Sequence, residues 1–317
     1  GRGFDPLCPL QIIVIKSKYI TKLFQNFLKN KDIRIFRNSF LYYLIFRIVR
    51  KFLTNDILLN IYDFKIFGSV NKKRTSYFLL KKCEFGDFYE FQNLKKFSNF
   101  NDVFLLDCGC NYGFYSFFLA SLKKTNYVVS VEASKNTSNE FLKNLKINNF
   151  KNISFFNKAI SDEDDKEVSF NESINDWESS IDHQDFPLKN ISNIKTVKID
   201  TLLKSFNLRK YMLFIKLDVE GHEMKTIKGG LNIIKNFSPV IIIEFSKFFL
   251  GQECNKKAFK KFLIDFDYKI YDVKKNMVEI DDIVDKIKKL SKNYKTIGNY
   301  FLIKSSSKQL DLFNSYD

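Results

Sequence analysis

The sequence is poor in several residues, and each scarcity narrows its reading. Five cysteines in 317 residues are too few and odd in number for a disulfide framework, so a reducing compartment is the default. Two histidines, His183 and His222, exclude a His-rich metal site. No run approaches the ~20 apolar residues that span a bilayer; SFLYYLIF is short and flanked by Arg37 and Arg47. LQIIVI is brief and no small-residue cleavage site follows it, so no secretory signal is read. Four prolines leave little to punctuate a domain boundary. There is no G-x-G-x-x-G, because Asn111 stands where its second glycine would be, and no G-x-x-x-x-G-K-[ST].

What is abundant is positive charge. Lys and Arg number 52 against 36 Asp and Glu, a net +16. Residues 1–100 hold 19 basic and 7 acidic residues, or +12, and the rest hold 33 and 29, or +4. Lys far outnumbers Arg, and Asn, Ile and Phe are plentiful, a bias that AT-rich coding also produces. Three regions follow: 1–75, a basic amphipathic helical extension; 76–306, the main domain; and 307–317, a polar tail. Residues 1–11, GRGFDPLCPLQ, read either as an overrun from a neighbouring tRNA gene or as a truncated end. Over 16–55 a helix is expected, with Ile33, Phe36, Phe40, Leu44, Ile48 and Phe52 on one stripe and Arg34, Arg47 and Lys51 among its flanks. Two roles stay open for it: packing on the main domain, or lying on an anionic membrane surface through residues 33–53.

Residues 57–100 alternate short apolar runs with polar breaks and predict short strands and a helix. From 103 strands and helices alternate. VFLLD, YVVSVE, ISFFN, KTVKID, MLFIKLD and PVIIIEF read as strands, and helices are expected near 112–123, 135–148, 222–236 and 255–265. YKIYDV and NYFLIK follow. Residues 161–195 read as acidic, polar and irregular around a short VSF strand. Near-continuous apolar strands between helices imply a parallel sheet covered on both faces. The expected fold is α/β, a mostly parallel doubly wound sheet with an antiparallel edge strand. Its ligand should lie beyond the carboxyl ends of the strands, where the strand order switches.

The residues at those ends form a chemical set. After the first strand come Asp107, Gly109, Asn111 and Gly113. A glycine at 109 permits a tight turn and close backbone approach. A loop without a pyrophosphate cradle, led by a carboxylate, suits a ligand carrying an amine. The second strand ends at Glu132, which can accept from both hydroxyls of a ribose. One carboxylate for an ammonium and one for a ribose together fit S-adenosylmethionine. Farther on, IKLDVEGHE holds Lys216, Asp218, Glu220 and Glu223. A doubly buried strand should hold such charges only if they pair, so Lys216 reads as fixing its neighbouring carboxylates, with Glu244 a candidate partner. A purely structural ion-pair network is the competing reading.

The stretches LLDCGCNYGFYS, VSVEAS, FFNKAISDEDDKEVSF, ESSI, TVKIDTLL, FIKLDVEGHEMKTIKGG and PVIIIEF, in this order over 103–246, resemble the FkbM family of S-adenosylmethionine-dependent methyltransferases. The resemblance implies a Rossmann-like class I fold and O-methylation, often of sugars or glycan-linked hydroxyls. It implies that Asp107, Gly109, Asn111 and Gly113 line the methionine end of the cofactor, that Glu132 holds ribose, and that the turn from Asn157 to Ala159 lies near adenine. It implies that Asp218, Glu220 and Glu223 face the reacting centre. Cys108, Cys110, Ala133 and His222 depart from the family's usual residues without removing a charged group. Asp218 or Glu220 is the expected proton acceptor, Lys216 its orienting partner, with Tyr112, Tyr115 and Trp177 as candidate enclosing rings and no metal. The expected partner is a hydroxyl-bearing small molecule or glycan, and the expected location is the cytoplasm, at the inner face of a membrane if the basic helix binds lipid. Amino-methylating enzymes use a Pro-Pro loop and cytosine C5 enzymes a Pro-Cys pair, both absent here. RNA ribose methylation and a catalytically idle membrane-bound module are the alternatives.

Overall fold

The computed structural model describes residues 11–14, 47, 57–69, 71–73, 87–175, 179–181, 188–291 and 296–315. The helix expected over 16–55 lies outside them except for Arg47, which is helical and exposed. The proposed membrane contact over 33–53 and Trp177 also fall outside. Strand β1 (Gln11–Val14) pairs antiparallel with β2 (Ile57–Ile61), which pairs with β3 (Phe64–Gly68). Leu59, Ile61, Phe64 and Ile66 of this hairpin are buried in the same core as the strands after residue 103. The hairpin therefore packs with the domain expected to begin at 76.

The main chain of elements then runs α1 (Phe88–Phe100), β4 (Val103–Cys108), α2 (Phe114–Leu122), β5 (Tyr127–Val131), α3 (Lys135–Asn148), β6 (Ile153–Phe156) and β7 (Ala159–Ile160). It continues through β8 (Glu167–Ser173), β9 (Leu188–Val197), α4 (Ile199–Leu203), β10 (Met212–Leu217), α5 (Glu223–Lys228), α6 (Leu231–Phe237) and β11 (Val240–Ser246). Last come α7 (Lys247–Leu250), α8 (Glu253–Asp265), β12 (Tyr268–Tyr271), β13 (Met277–Val278), α9 (Ile280–Lys288), β14 (Thr296–Lys304) and α10 (Lys308–Asn314).

The central sheet has the order β13-β12-β14-β11-β10-β4-β5-β6. Strands β6, β5, β4, β10 and β11 are mutually parallel. The expected antiparallel edge strand is the two-residue β13, and a second antiparallel strand, β14, lies inside between β11 and β12. The order switches between β4 and β10, so the carboxyl ends of these two strands frame the crevice where such sheets bind ligands.

Side-chain alternation decides which residues meet. On β4, Val103 and Leu105 join one core with the hairpin, α1 and α2, whereas Phe104, Leu106 and Cys108 join the other with α4, α5, α8 and α9. The same parity puts Phe214 and Ile242 in the first core and Leu213, Ile215, Ile241 and Ile243 in the second. Asp107, Lys216, Glu244 and Asn299 share the parity of the first face. Ser130 and Lys216 both pair in register with Asp107, and Glu244 pairs with Asn299. A row of polar residues thus crosses one face of an otherwise apolar sheet.

Three expectations are corrected and one helix is added. The helix expected over 222–236 is two helices, α5 and α6, broken at Gly229-Gly230; a Cβ at Gly229 would stand 2.0 Å from the Ser161 carbonyl oxygen, so the chain passes too close there for a side chain. The irregular 161–195 segment is largely an antiparallel ribbon, β8 with β9, joined by β7 in a small sheet. Helix α9 was not expected, although Ile280, Ile283, Val284 and Ile287 recur at helical spacing and are buried. The tail of 307–317 contains α10 instead, because Leu310, Leu312 and Phe313 give it an apolar side. Phe313 is fully buried, with its ring centroid 5.1 Å from Phe301 and 5.6 Å from Tyr271.

If α10 is part of the core, Phe313→Ala should lower unfolding stability by about 3–5 kcal/mol in urea titrations, the range for truncating a buried phenylalanine. Loss of under ~0.5 kcal/mol, the range for a surface change, would return this segment to the status of a tail.

Candidate functional site

A cavity of about 270 Å³ opens at the carboxyl ends of β4, β5, β10 and β11. Its walls include Gly109, Asn111, Glu132, Ala159, Asp218 and Glu220, six of the residues singled out from sequence. Glu244, expected as a partner of Lys216, and His222 line it too. Val131, Ala133, Lys158, Ile160, Val219 and Thr296 complete the sheet side, and Phe170, Ser179 and Ile181 form a wall from the ribbon.

The loop after β4 is built on left-handed backbone. Gly109 has φ +77°, and a Cβ there would lie 1.9 Å from the Asp218 carbonyl oxygen. Bare backbone is therefore obligatory where β4 meets β10 at the switch point. Gly109 N and Cys110 N donate to Val131 O at 2.9 and 3.0 Å, fastening the loop to β5. Gly113 caps α2 with φ +90°, and a Cβ there would strike Phe117. Asn111 also has positive φ, and its amide donates to Glu132 Oε2 at 3.0 Å. Ser134 N donates to Glu132 Oε1 at 2.8 Å. Two backbone donors thus orient the Glu132 carboxylate, and each oxygen keeps a further lone pair for a ligand.

The structure puts the other expected cofactor residues behind this surface. Asp107 is buried, accepts from Ser116 Oγ at 2.5 Å, and lies beneath the loop. Asn157 is not on the cavity wall; its amide donates to Glu132 O, Ala133 O and Ser138 Oγ at 2.8, 3.1 and 2.9 Å, holding the ends of β5 and β6 together. Tyr112 and Tyr115 are buried in the core and do not enclose the cavity. Cys108 and Cys110 are buried thiols, pushed well above the usual thiol range by burial and the neighbouring Asp107.

The charged residues on and after β10 converge. Lys216 is 1% exposed and donates from Nζ to Asp218 Oδ2 at 3.1 Å. Its ammonium also stands 5.3 Å from the centre of the Tyr115 ring. Burial presses the Lys216 pKa down, but Asp218, Glu244 and Asp87 more than reverse this and leave it above the ordinary lysine value. Oxygens of Asp218, Glu220 and Glu244 all lie within 4.8 Å of one another. Glu220 and Gly221 follow with φ +50° and +99°. Glu223 does not reach the cavity; it is buried, and its Oε1 accepts from Gly221 N at 3.1 Å, bracing the turn from inside. His222 is buried with Nε2 3.0 Å from Ser161 Oγ.

Sequence reading missed three groups next to Lys216. Asn299 of β14 donates from Nδ2 to Asp87 Oδ1 at 3.4 Å, to Glu90 Oε1 at 3.0 Å and to Tyr115 OH at 3.3 Å. These residues lie up to 212 positions apart, and only the place of β14 in the sheet brings them together. Burial dominates the titration of the whole cluster. It raises Asp87 and Asp107 to about 6, Glu90, Glu132 and Glu223 to about 7 and Glu244 to about 8. Carboxylates so close together and so buried shed charge or take up a cationic partner. Such a cavity favours a ligand that brings positive charge, with Glu132 on one wall and the Asp218–Glu220–Glu244 group on the other.

The family model of the methyltransferase FkbM domain matches residues 107–294, more than half of the chain. Among solved structures, an FkbM methyltransferase from Methylobacillus flagellatus is 15% identical, with a TM-score of 0.41 over 71% of this chain and 52% of that one. This chain thus spans about half the length of that relative. An rRNA methylase from Streptococcus thermophilus is 12% identical, with a TM-score of 0.37 over 68% of this chain and 93% of that one. TYW2 of M. jannaschii, in complex with AdoMet, is 13% identical, with a TM-score of 0.36 over 78% and 85%. No curated protein sequence matches. The chain belongs to the FkbM family of methyltransferases, and its cofactor is S-adenosylmethionine.

Proposed function

We propose that this enzyme O-methylates a hydroxyl of a sugar, glycan or glycolipid. The observation that carries the reading is the trio of half-buried carboxylates, Asp218, Glu220 and Glu244, gathered on one cavity wall beside the buried Lys216. In the bound cofactor, the sulfonium makes its methyl carbon electrophilic. A sugar hydroxyl is a weak nucleophile, so a carboxylate within hydrogen-bond reach must take its proton. Asp218 and Glu220 are assigned that role, with Glu244 beside them to share the proton. Lys216 takes one oxygen of Asp218 and thereby fixes the direction of the other. Glu132 is assigned to the ribose hydroxyls, and Gly109 with Asn111 to the backbone surface at the methionine end. Asp107, Gly113, Asn157 and Glu223 hold these groups in place from behind. The cofactor's sulfonium and ammonium charges suit a cavity of this composition. The same charges argue against RNA: the wall presents Glu132, Asp218, Glu220 and Glu244, and its one lysine, Lys158, is engaged by Asp165 at 3.1 Å. A phosphodiester backbone would bring further negative charge to a wall whose Glu132 and Glu244 already hold on to protons because charge there is unfavourable. Among the described residues no helix is long and apolar enough to cross a membrane. Attachment at the inner face of a membrane through residues 33–53 is part of the proposal and would bring the site to lipid-linked glycans.

S-adenosylhomocysteine should raise the melting temperature, by about 2.7 kcal/mol of stabilisation at a hundred times its Kd. Glu132→Ala should lose most of that shift. Asp218→Asn should keep it and lose turnover on the order of 10²-fold or more, the scale of a missing general base; loss of the shift instead would reassign Asp218 to binding. Methyl label from the cofactor should partition into the glycan or glycolipid fraction of a cell extract, and label confined to RNA would overturn the acceptor assignment.

Protonation gives a second test. The six raised carboxyls keep protons in the folded protein that the unfolded chain releases near its ordinary values of 3.8 to 4.5. The folded state therefore binds more protons between about pH 5 and 8, and stability falls as pH rises through that window. Without cofactor, the melting temperature should be higher at pH 5.5 than at pH 8, and Glu244→Gln should flatten the upper part of the slope. A melting temperature that climbs over this range would contradict the buried charge pattern.

A further inference from the structure

Ser180 belongs to the segment 179–181 that returns along the ribbon and closes one side of the cavity. It is 1% exposed. Its backbone exchanges two hydrogen bonds with Asn171 of β8, Asn171 N to Ser180 O at 2.8 Å and Ser180 N to Asn171 O at 3.1 Å. Its hydroxyl donates to the backbone oxygen of Glu220 at 2.9 Å. Glu220 carries a Cβ yet has φ +50°, followed by Gly221 at +99°. Left-handed backbone is unfavourable for such a residue unless neighbours hold it. Three holds are visible among the described residues. His222 N donates to Val219 O at 3.3 Å and closes the turn. Glu223 accepts from the Gly221 amide, and Ser180 supplies a donor to the carbonyl just before it. The residues on either side of Ser180, namely Ser179 and Ile181, line the cavity together with Glu220 and Phe170 of β8.

We infer that Ser180 is a positioning residue that locks the Glu220 turn to the ribbon, so that the carboxylate of Glu220 and the wall made by Phe170, Ser179 and Ile181 keep one geometry. It touches no reacting atom. Its hydroxyl joins the ribbon to the turn that follows the central strand β10, while its backbone N–H and C=O are taken by Asn171. This inference rests on the assignment of Glu220 to the acceptor side of the site. The hydroxyl is the essential group, since an alanine at 180 leaves the Glu220 carbonyl without that donor, whereas threonine retains it.

The test uses Ser180→Ala and Ser180→Thr in the full chain. Hydrogen–deuterium exchange is followed in peptides covering 171–181 and 218–224, with the melting shift on adding S-adenosylhomocysteine and, on the acceptor fraction identified above, kcat and KM. Ser180→Ala should exchange faster in both peptides and keep the shift with S-adenosylhomocysteine. Its kcat should drop roughly tenfold, the scale of one lost buried hydrogen bond, with KM for the cofactor unchanged. Ser180→Thr should restore slow exchange in 218–224 and recover kcat. Faster exchange confined to 171–181, or a Thr variant of normal melting temperature that behaves like Ala, would overturn the inference. If the unmodified protein shows neither the melting shift nor methyl transfer, the functional reading fails, and the exchange data alone judge the Ser180 lock.

Discussion

The site depends on one buried ammonium. Lys216 lies on the central strand of the sheet, 1% exposed, and a charge in that position is tolerable only when it is paired. Its partners come from three directions: Asp218 from two residues along the same chain, Glu244 from the neighbouring strand and Asp87 from the start of α1. A lone carboxylate would suffice to neutralise it. The excess of carboxyls is what makes the place a site, because the surplus can be relieved only by protons or by a cationic ligand. Asn299 and the Tyr115 hydroxyl absorb part of the remaining polarity by bonding Asp87 and Glu90 at their back. Removal of Lys216 would therefore disturb far more than its contact with Asp218.

The parts of this arrangement legible in the sequence are those whose signal is local. Gly109, Asn111 and Gly113 lie within five residues at the end of an apolar strand, and the structure gives all three the positive φ that such a turn needs. Lys216, Asp218 and Glu220 alternate along one stretch, and a lysine on a doubly buried strand announces pairing, although β10 ends at Leu217 and the two acids belong to the turn that follows. Glu244 was readable as a partner because it ends the next strand. Asp87, Glu90 and Asn299 were not readable: each is an ordinary polar residue in its own segment, and strand β14 reaches Lys216's neighbourhood only by inserting between β11 and β12. The ribbon of β8 and β9 was readable only in part, as the short VSF strand and the strand KTVKID. Val168 and Phe170 alternate with polar neighbours over a few residues only, and the rest of β8 and β9 is mostly polar, which leaves too short a period to mark two long paired strands. The tail misled because three apolar residues in ten look negligible until helical spacing gathers them on one side.

Sheet parity links the fold to the chemistry. The residues in the row from Ser130 through Asp107 and Lys216 belong to the face covered by α1 and α2, and Ser116 of α2 reaches down to bond both Asp107 and Ser130. Glu244 and Asn299 continue that row at the carboxyl end. A shift of one residue in β10 would turn Lys216 into the opposite core, among Leu217, Ile227 and Ile243, and away from Glu244, which shares its present parity. Register is therefore enforced twice, once by burial of the apolar residues and once by the ion pair, and the second constraint ties the position of the cavity carboxylates to the packing of the whole sheet.

The same logic resolves the apparent conflict between a strongly basic chain and an acidic cavity. A +16 protein would ordinarily be read as built for polyanions. Yet +12 of that charge belongs to residues 1–100 and only +4 to the remaining 217, which contain every carboxylate on the cavity wall. A field from the first hundred residues acts over distances set by the Debye length, about 8 Å at physiological salt, and so is screened across most of a domain. Inside the cavity, where water is limited, the neighbouring carboxylates dominate. In the proposed reading the two charges act on different partners: the basic excess on an anionic surface, and the acidic wall on the ligand. The proposed acceptor, neutral and rich in hydroxyls, would suit both, since it would be repelled by neither and could be presented from such a surface.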